Sequence, residues 1–225
     1  MQKVLVVDDD AHIRDVGCFA LRREGFDVFE ASTGHTAIEQ FEDLQPDLIV
    51  LDVLMPEGDG IAVCEQIRRS SRIPIIFLSS KDAETDRIKG LDGGGDDYVT
   101  KPFSVRELVA RVKAQLRRKD EAPTAFRSHV SVGPLDIDTE SRTCVIDGHT
   151  LDLTRTEFDL LTAMARTEGK VLAREKLMSA AYAANRVVSD RTIDSHIRRL
   201  RQKLRHVGVE PVHTVHGVGF RLSFE

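Results

Sequence analysis

The first half of the sequence alternates short apolar runs with stretches of helical periodicity, and this alternation restricts the fold more than any other feature. The runs VLVV and LIVL are apolar at every position, which is typical of parallel strands covered on both faces. Between the runs, apolar residues recur at helical spacing, and Gly or Pro residues stand where turns are needed. The pattern predicts an α/β doubly wound domain with a five-stranded parallel sheet. The predicted strands are Val4–Val7, Asp27–Glu30, Leu48–Leu51, Ile75–Leu78 and Tyr98–Thr100.

The second half has a different pattern, so we predict two domains. Helical periodicity stops near Arg117, and a polar stretch containing Pro123 follows, which indicates a linker. Residues 132–153 contain short β-prone runs separated by turn residues, typical of a small antiparallel sheet. Helical segments follow, the first introduced by a capping box at Thr154 and Glu157, and the C-terminal residues predict a β-hairpin. The predicted bounds are 1–119 for the first domain, 120–129 for the linker and 130–225 for an α+β second domain.

Composition excludes several classes of protein. No run reaches the roughly 18 apolar residues that a membrane span requires, and the N-terminus lacks the pattern of a signal peptide, so we expect a cytoplasmic protein. The three cysteines, Cys18, Cys64 and Cys144, are far apart in sequence and have apolar neighbours. They form no metal-binding spacing, and we expect them to be small core residues.

The net charge of −5 is unevenly divided along the chain. Residues 1–120 hold 17 Lys and Arg residues against 23 Asp and Glu residues, a net charge of −6, whereas residues 121–225 carry a net charge of +1. A basic helical segment lies within 189–205, where four apolar residues at helical spacing indicate a buried stripe and leave cations on other faces. The stripe consists of Ile193, Ile197, Leu200 and Leu204.

Polar side chains follow several strands of the predicted parallel sheet. Asp8, Asp9 and Asp10 follow the first strand, Asp52 the third, Ser79 and Ser80 the fourth, and Lys101 the fifth. Ligands bind at this edge in open parallel sheets, and clustered carboxylates favour a hard cation such as Mg²⁺. With Mg²⁺ and the Lys101 ammonium neutralising phosphate oxygens, one carboxylate could attack a phosphoryl group, and Asp52 is the natural nucleophile.

The motifs VLVVDDDAHIR, LIVLDVLMPEGDG, PIIFLSS and DDYVTKPF, in this order, resemble the receiver domains of OmpR/PhoB-family response regulators, with a flavodoxin-like fold. The resemblance implies that Asp52 accepts a phosphoryl group from the phosphohistidine of a sensor histidine kinase. It also implies that Asp8, Asp9 and the backbone carbonyl of Leu54 help to bind Mg²⁺. Ser79 would hydrogen-bond the phosphoryl group. Tyr98 would be the aromatic residue that changes orientation when the domain is phosphorylated, and Lys101 would be the lysine that contacts the phosphoryl group in this family. Two departures are Ser79 in place of Thr and Ser80 in place of a small apolar residue.

The resemblance also implies a cis peptide between Lys101 and Pro102, and a homodimer that forms on phosphorylation. Charged residues match positions that family members pair across a receiver dimer, where exposed pairs specify register more than they supply affinity. These residues are Arg87, Asp96, Asp97, Glu107 and Arg111.

The motifs VIDGHTLDLTRTEFDLL, SDRTIDSHIRRLRQKL and VHTVHGVGFRL resemble the winged-helix output domain of the same family. The resemblance implies binding to promoter DNA through the basic helix, with the glycines forming a wing. The candidate DNA-binding residues are Arg191, Ser195, His196, Arg198, Arg199, Arg201, Gly217 and Gly219. RNA polymerase is a further expected partner, although the loop after Met178 departs from the family pattern and Phe220 replaces the usual Tyr.

Three alternatives remain open at this stage. An aspartyl-phosphate phosphatase would use a similar nucleophile and Mg²⁺, but it would need a second acid at the position of Leu54. We therefore expect no enzyme activity beyond self-phosphorylation and autodephosphorylation at Asp52. The output domain could instead bind RNA or protein, or the chain could be a DNA-binding repressor that does not depend on its receiver.

Overall fold

The computed structural model describes residues 1–56, 58–80, 94–117, 129–181 and 190–224, with side chains omitted at a few positions beside the gaps. The chain divides into two compact units, Met1–Asp120 and Glu121–Glu225. Most of the predicted linker, 120–129, lies outside the described residues.

The N-terminal unit is a parallel α/β sheet, as the sequence predicts. Its strands have the order β2-β1-β3-β6-β7, and every neighbouring pair is parallel. A two-stranded hairpin, β4-β5, was not predicted. The elements in chain order are β1 (Lys3–Val7), α1 (Ala11–Arg23), β2 (Asp27–Ala31), α2 (Gly34–Leu44), β3 (Leu48–Asp52), β4 (Leu54–Met55), β5 (Gly58–Asp59), α3 (Gly60–Arg68), β6 (Ile75–Ser80), β7 (Asp97–Lys101) and α4 (Val105–Arg117).

Continuous apolar strands allow this sheet to bury side chains on both faces. Successive strand residues point to opposite faces, so β1 sends Leu5 and Val7 into one core and Val4 and Val6 into the other. One core packs against α2 and α3, and the other lies under α1 and α4. The strand order reverses between β1 and β3, which is the place where open α/β sheets bind ligands.

In its described residues, the C-terminal unit combines two small antiparallel sheets with three helices. The first sheet has the order β11-β10-β9-β8, and the second has the order β12-β14-β13. The elements are β8 (His129–Val132), β9 (Leu135–Asp138), β10 (Thr143–Ile146), β11 (His149–Thr150), α5 (Arg155–Ala165), β12 (Leu172–Ala173), α6 (Arg174–Ala181), α7 (Asp190–His206), β13 (Val212–Val215) and β14 (Gly219–Leu222).

Local sequence signals explain the boundaries of these elements. Asp147 and Gly148 both have positive φ, at 48° and 80°, as the tight turn between β10 and β11 requires. The predicted capping box forms at the start of α5, where Thr154 accepts from the amide of Glu157 and the Glu157 side chain accepts from the amide of Thr154. The predicted stripe of α7 is confirmed, because its four apolar residues are at most 1% exposed.

None of the helices in the described parts of the chain is long and apolar enough to cross a membrane.

Candidate functional site

The carboxyl edge of the parallel sheet brings two buried acids and one lysine together. Lys101 Nζ lies 2.7 Å from Asp8 Oδ2 and 2.7 Å from Asp52 Oδ2. Asp8 is fully buried and Asp52 is 4% exposed. Each residue stands at the end of a different strand, so the sheet topology holds the three groups in place. Burial raises the pKa of both carboxyl groups, although the hydrogen bond from Lys101 opposes the shift.

The loop after β1 is fixed by its own polar groups. Asp10 is the N-cap of α1, where its side chain accepts from the amides of His12 and Ile13. Arg14 Nη1 donates to the backbone oxygens of Asp8 and Asp9, at 2.6 and 3.0 Å. Asp9 is exposed, in contrast to Asp8. These contacts present one buried and one accessible carboxylate side by side.

The backbone around Asp52 is equally restricted. The amide of Leu54 donates to Asp52 Oδ1 at 3.3 Å. Gly60 begins α3 and donates its amide to the backbone oxygen of Val53 at 3.0 Å. A Cβ atom at Gly60 would lie only 1.9 Å from the backbone oxygen of Asp52, so no other residue fits here without a shift of the strand end.

Ser79 completes the edge, whereas Tyr98 lies near the start of β7, in the core beside α2 and α3. Ser79 is 2% exposed, and its Oγ makes no hydrogen bond within the described part of the chain. A buried hydroxyl in this condition is unfavourable by about 1–3 kcal/mol, and a ligand oxygen at the site would satisfy it. Tyr98 is buried, and the Lys101–Pro102 peptide is cis, as expected.

The acids fit a divalent metal ion. One carboxylate oxygen each from Asp8, Asp9 and Asp52 lies within 4.8 Å of the others. Hard oxygen donors of this kind suit Mg²⁺, which keeps several waters and takes few protein ligands. Desolvation that disfavours the charged carboxylates is relieved when a cation binds between them. The chemistry of the donor set therefore agrees with a magnesium site.

The C-terminal unit places the basic helix α7 next to the hairpin β13-β14. Arg198 is exposed, whereas Arg201 is half-buried. Arg201 donates to the backbone oxygen of Val212 at 3.0 Å and to Thr214 Oγ1 at 2.8 Å, which ties the helix to the hairpin. Gly217 lies in the exposed turn of the hairpin with a φ of 72°.

Two family models match the chain. The response regulator receiver domain matches residues 4–113, and the C-terminal domain of transcriptional regulatory proteins matches residues 148–222. The sensory transduction protein RegX3 of Mycobacterium tuberculosis is 38% identical over 226 residues, which cover 99% of this chain and 100% of that protein. The chain belongs to the OmpR/PhoB family of response regulators. It is therefore a two-component response regulator with a receiver domain and a DNA-binding domain, and a transcriptional regulator.

Other members of the family are similar over the full length. The phosphate regulon transcriptional regulatory protein PhoB of Escherichia coli is 40% identical, with coverage of 99% of this chain and 98% of that protein. The structure of DrrB, an OmpR/PhoB homologue from Thermotoga maritima, aligns with a TM-score of 0.52 and 31% identity over 100% of both chains. A RitR variant aligns with a TM-score of 0.77 and 25% identity over 99% of both chains.

The predicted dimer-face residues that the structure describes form ion pairs within their own domain. Asp96 is fully buried and pairs with Arg68 at 2.8 Å, so it is not an exposed charge available to a second subunit. Asp97 is 2% exposed and accepts two hydrogen bonds from Arg111 at 3.0 Å. Arg111 also pairs with Glu107 at 2.8 Å. The acids at the start of β7 face neighbouring elements of their own domain, which the charge pattern alone did not reveal. Arg87 lies outside the described residues.

Several predicted DNA contacts also require correction. His196 is fully buried and Ser195 is 7% exposed, because α7 packs against both α5 and α6 and so buries a wider arc than its apolar stripe. Gly219 is buried in β14 rather than on the wing, and a Cβ atom there would lie 2.0 Å from the backbone oxygen of Leu172. In this conformation these three residues do not present a surface to DNA. The side chain of Arg191 lies outside the described part of the structure.

Sequence reasoning missed three positioning arginines. Arg14 fixes the acidic loop, and Arg68 holds Asp96. Arg174 lies 4.9 Å from the ring centroid of Phe220 and donates to Asp194 Oδ1 at 3.1 Å. Only Arg14 had an available signal, because it stands one helical turn after the N-cap Asp10 and therefore points back towards the loop.

Proposed function

We propose that this chain is a phosphorylation-activated regulator in which Asp52 accepts a phosphoryl group from a sensor histidine kinase. The single observation that carries this proposal is the shared position of Lys101 Nζ between Asp52 and Asp8, 2.7 Å from each, at the edge where the strand order reverses. A partly buried ammonium beside a strand-end carboxylate is suited to stabilise the charge of a transferring phosphoryl group.

In the proposed step, a carboxylate oxygen of Asp52 attacks the phosphorus atom of a phosphohistidine. The new O–P bond forms as the P–N bond breaks, and the imidazole nitrogen leaves with the electron pair. Such transfers require little covalent chemistry from the protein, so positioning and charge neutralisation dominate. The contact from the Leu54 amide holds Asp52 Oδ1, which leaves the orientation of the nucleophile fixed before the partner binds.

Asp8, Asp9, Asp52 and the backbone carbonyl of Leu54 would hold Mg²⁺, which supplies positive charge to the phosphoryl oxygens when it is bound. Lys101 neutralises a further oxygen. The Ser79 hydroxyl, buried and without a hydrogen bond in the described residues, is available to donate to another. The contacts of Lys101 and Ser79 with phosphoryl oxygens form only when the phosphoryl group is present. They can therefore shift the domain towards a second conformation in which the side chains around Tyr98 pack differently.

We further propose that the phosphorylated receiver forms a homodimer and that the winged helix then binds tandem promoter sites and contacts RNA polymerase. Arg198, Arg199, Arg201 and the turn at Gly217 remain the supported candidates for the DNA surface, because none of them is buried. Turnover of an external phosphorylated substrate is disfavoured, because Leu54 is an apolar side chain, 55% exposed, where a phosphatase would need a general acid.

The test is selection of random genomic fragments by the purified full-length protein, with and without beryllofluoride and Mg²⁺. Asp52→Asn removes the acceptor while it preserves the size of the side chain. The matched control is Asp43→Asn, which makes the same change at an exposed residue of α2. Beryllofluoride should strengthen enrichment of fragments with repeated half-sites in the unmodified protein and in Asp43→Asn, but not in Asp52→Asn.

Either of two results would contradict the proposal. A full beryllofluoride response in Asp52→Asn would show that Asp52 is not the acceptor. No enrichment of any fragment would remove the promoter-binding role and direct the search to RNA or protein partners.

A further inference from the structure

The loop between β1 and α1 carries two of the three clustered acids, and it holds their side chains in different ways. Asp8 is fully buried, its Oδ1 accepts from the amide of Asp10 at 3.0 Å, and its Oδ2 lies 2.7 Å from Lys101 Nζ. Asp9 is exposed, so burial does not fix its carboxylate. The position of the Asp9 carboxylate therefore depends on how firmly the backbone of the loop is held.

Arg14 holds that backbone from the first turn of α1. A single nitrogen, Nη1, donates to the backbone oxygen of Asp8 at 2.6 Å and to that of Asp9 at 3.0 Å. These oxygens belong to the peptide groups on either side of the Asp9 Cα atom, so the two hydrogen bonds restrict both φ and ψ of Asp9. The Arg14 amide donates to the backbone oxygen of Asp10 at 3.1 Å, which anchors the arginine in the helix.

An ordered loop favours the binding of a small, demanding cation. One carboxylate oxygen each from Asp8, Asp9 and Asp52 lies within 4.8 Å of the others. Mg²⁺ accepts ligands only in near-ideal octahedral geometry, at about 2.0–2.1 Å, so a carboxylate on a mobile loop must first lose its backbone freedom. Ordering the backbone of one residue changes an equilibrium constant by about five- to thirtyfold. A loop that Arg14 has already ordered avoids this cost when the ion binds.

The charge of Arg14 acts in the opposite direction. A guanidinium is always ionised in proteins, and a positive charge near a cation site weakens cation binding by Coulomb repulsion. If repulsion were the main effect of Arg14, its removal would strengthen Mg²⁺ binding. If ordering of the loop is the main effect, its removal weakens Mg²⁺ binding. The sign of the change in affinity therefore distinguishes the two effects.

We propose that Arg14 is a positioning residue that raises the affinity of the receiver for Mg²⁺ by ordering the backbone that carries Asp9. The inference rests on the proposed function, because it concerns the metal ion of the same site. Asp52 and Lys101 stand at the ends of β3 and β7 rather than in this loop. Loss of Arg14 should therefore raise the concentration of Mg²⁺ that the site requires and leave the acceptor intact.

The test compares Arg14→Met with the unmodified full-length protein. Methionine keeps an unbranched apolar stem but has no hydrogen-bond donor. Arg23→Met is the matched control, because it makes the same change at the last residue of α1, where the guanidinium lies 5.9 Å from the ring centroid of Phe19. Isothermal titration calorimetry measures the Kd for Mg²⁺. Fluorine NMR measures bound beryllofluoride as a function of Mg²⁺ concentration, and thermal unfolding without metal measures the stability of each variant.

Arg14→Met should raise the Kd for Mg²⁺ by about 10–100-fold, the range for loss of a group that orients a metal ligand. The beryllofluoride signal should require more Mg²⁺ but reach the same plateau. Arg14→Lys retains the charge and ammonium donors, so it should recover part of the affinity, and Arg23→Met should leave the Kd unchanged. Tighter Mg²⁺ binding in Arg14→Met, or a plateau that falls together with the affinity, would overturn the inference.

A double-variant cycle tests whether Arg14 acts through Asp9. Asp9→Asn removes the charge of one metal ligand and should weaken Mg²⁺ binding by itself. In that background Arg14→Met should have little further effect, because the residue that it positions no longer binds the ion well. Losses that add in the double variant would show that Arg14 acts on another part of the site and would contradict the inference.

A second variant keeps the inference testable if Arg14→Met fails to fold. Arg14→Gln has a neutral amide nitrogen that ends two bonds short of the position of Nη1, and it should also weaken Mg²⁺ binding. Mg²⁺ binding that Asp9→Asn leaves unchanged, or no binding by the unmodified protein, would refute the metal site of the proposed function. Mg²⁺ binding that depends on Asp9 but not on Arg14 would refute only this inference.

Discussion

Replacement of Arg68 by Met tests how strongly the buried ion pair holds the receiver together. Arg68 is 8% exposed and Asp96 is fully buried. The guanidinium donates to Asp96 Oδ2 at 2.8 Å, to the backbone oxygen of Ile73 at 2.8 Å and to that of Gly94 at 2.9 Å. It therefore links the C-terminal end of α3 to the segments that enter β6 and β7. Methionine preserves the apolar stem and removes all three donors.

The expected loss is about 3–5 kcal/mol, because removal of one partner leaves a charge buried without its counterion. A unit of 120 residues shifts by roughly 4 °C for each kcal/mol, so the receiver transition should fall by roughly 12–20 °C. Differential scanning calorimetry of the full chain measures this shift. The transition of the C-terminal unit, which contains neither residue, is the internal reference.

Two further variants test whether the unpaired buried charge causes the loss of stability in Arg68→Met. Lys113→Met breaks an ion pair with Glu24 in which both side chains are more than 40% exposed, and it should cost less than about 1 kcal/mol. Asp96→Asn in the Arg68→Met background removes the stranded charge but keeps an acceptor for the Ile75 amide, which Asp96 binds at 3.1 Å. It should recover part of the lost stability. Equal losses for Arg68→Met and Lys113→Met, or no recovery in the double variant, would refute the reasoning.

Three further predictions concern other parts of the molecule. Because the pKa of Glu157 is lowered in the folded state, its contribution to stability is present above the unfolded value of about 4.5 and is lost as the pH falls below it. Calorimetry should show a smaller decrease of the C-terminal transition below that pH in Glu157→Gln. Gly60→Ala should abolish the beryllofluoride response, because the added Cβ would lie 1.9 Å from the backbone oxygen of Asp52; an unchanged response in a titration would contradict this. Burial raises the pKa of the Cys18 and Cys144 thiols to about 12, so both should react with a thiol reagent only after denaturant is added, and rapid reaction of the native protein would show the burial to be wrong.

Much of the fold could be predicted because burial on both faces leaves a strong pattern in sequence. All five strands of the receiver sheet occur where the alternation of short apolar runs and helical segments predicted them, and the structure extends each by one or two residues. The acids and Lys101 could be placed at one edge because parallel strands carry their carboxyl ends to the same side. Lys101 Nζ lies 2.7 Å from both acids because the sheet topology brings these strand ends together. The alternation of strands and helices in the sequence had already restricted that topology.

The direction in which each charged side chain points could not be predicted, because it depends on what packs against its element. Asp96 and Asp97 are consecutive acids, a pattern typical of surface, yet both are buried opposite arginines that come from separate helices. His196 lies between two predicted DNA contacts, but it is fully buried on a helix that packs against both α5 and α6. The sequence shows which charged residues share one face of a helix or strand. Whether solvent can reach that face depends on the tertiary contacts of the element.

The order of the strands has a consequence for the chain during its synthesis. The residues that meet at the carboxyl edge of the parallel sheet come from four separate strand ends, the last of which is Lys101 at the end of β7. A receiver that lacks its final strand has Asp52 but no ammonium beside it, so the cluster at this edge is incomplete until β7 has joined the sheet. Domains near the N-terminus fold first as a chain emerges, so the receiver can complete its four-strand cluster before the DNA-binding unit has been synthesised.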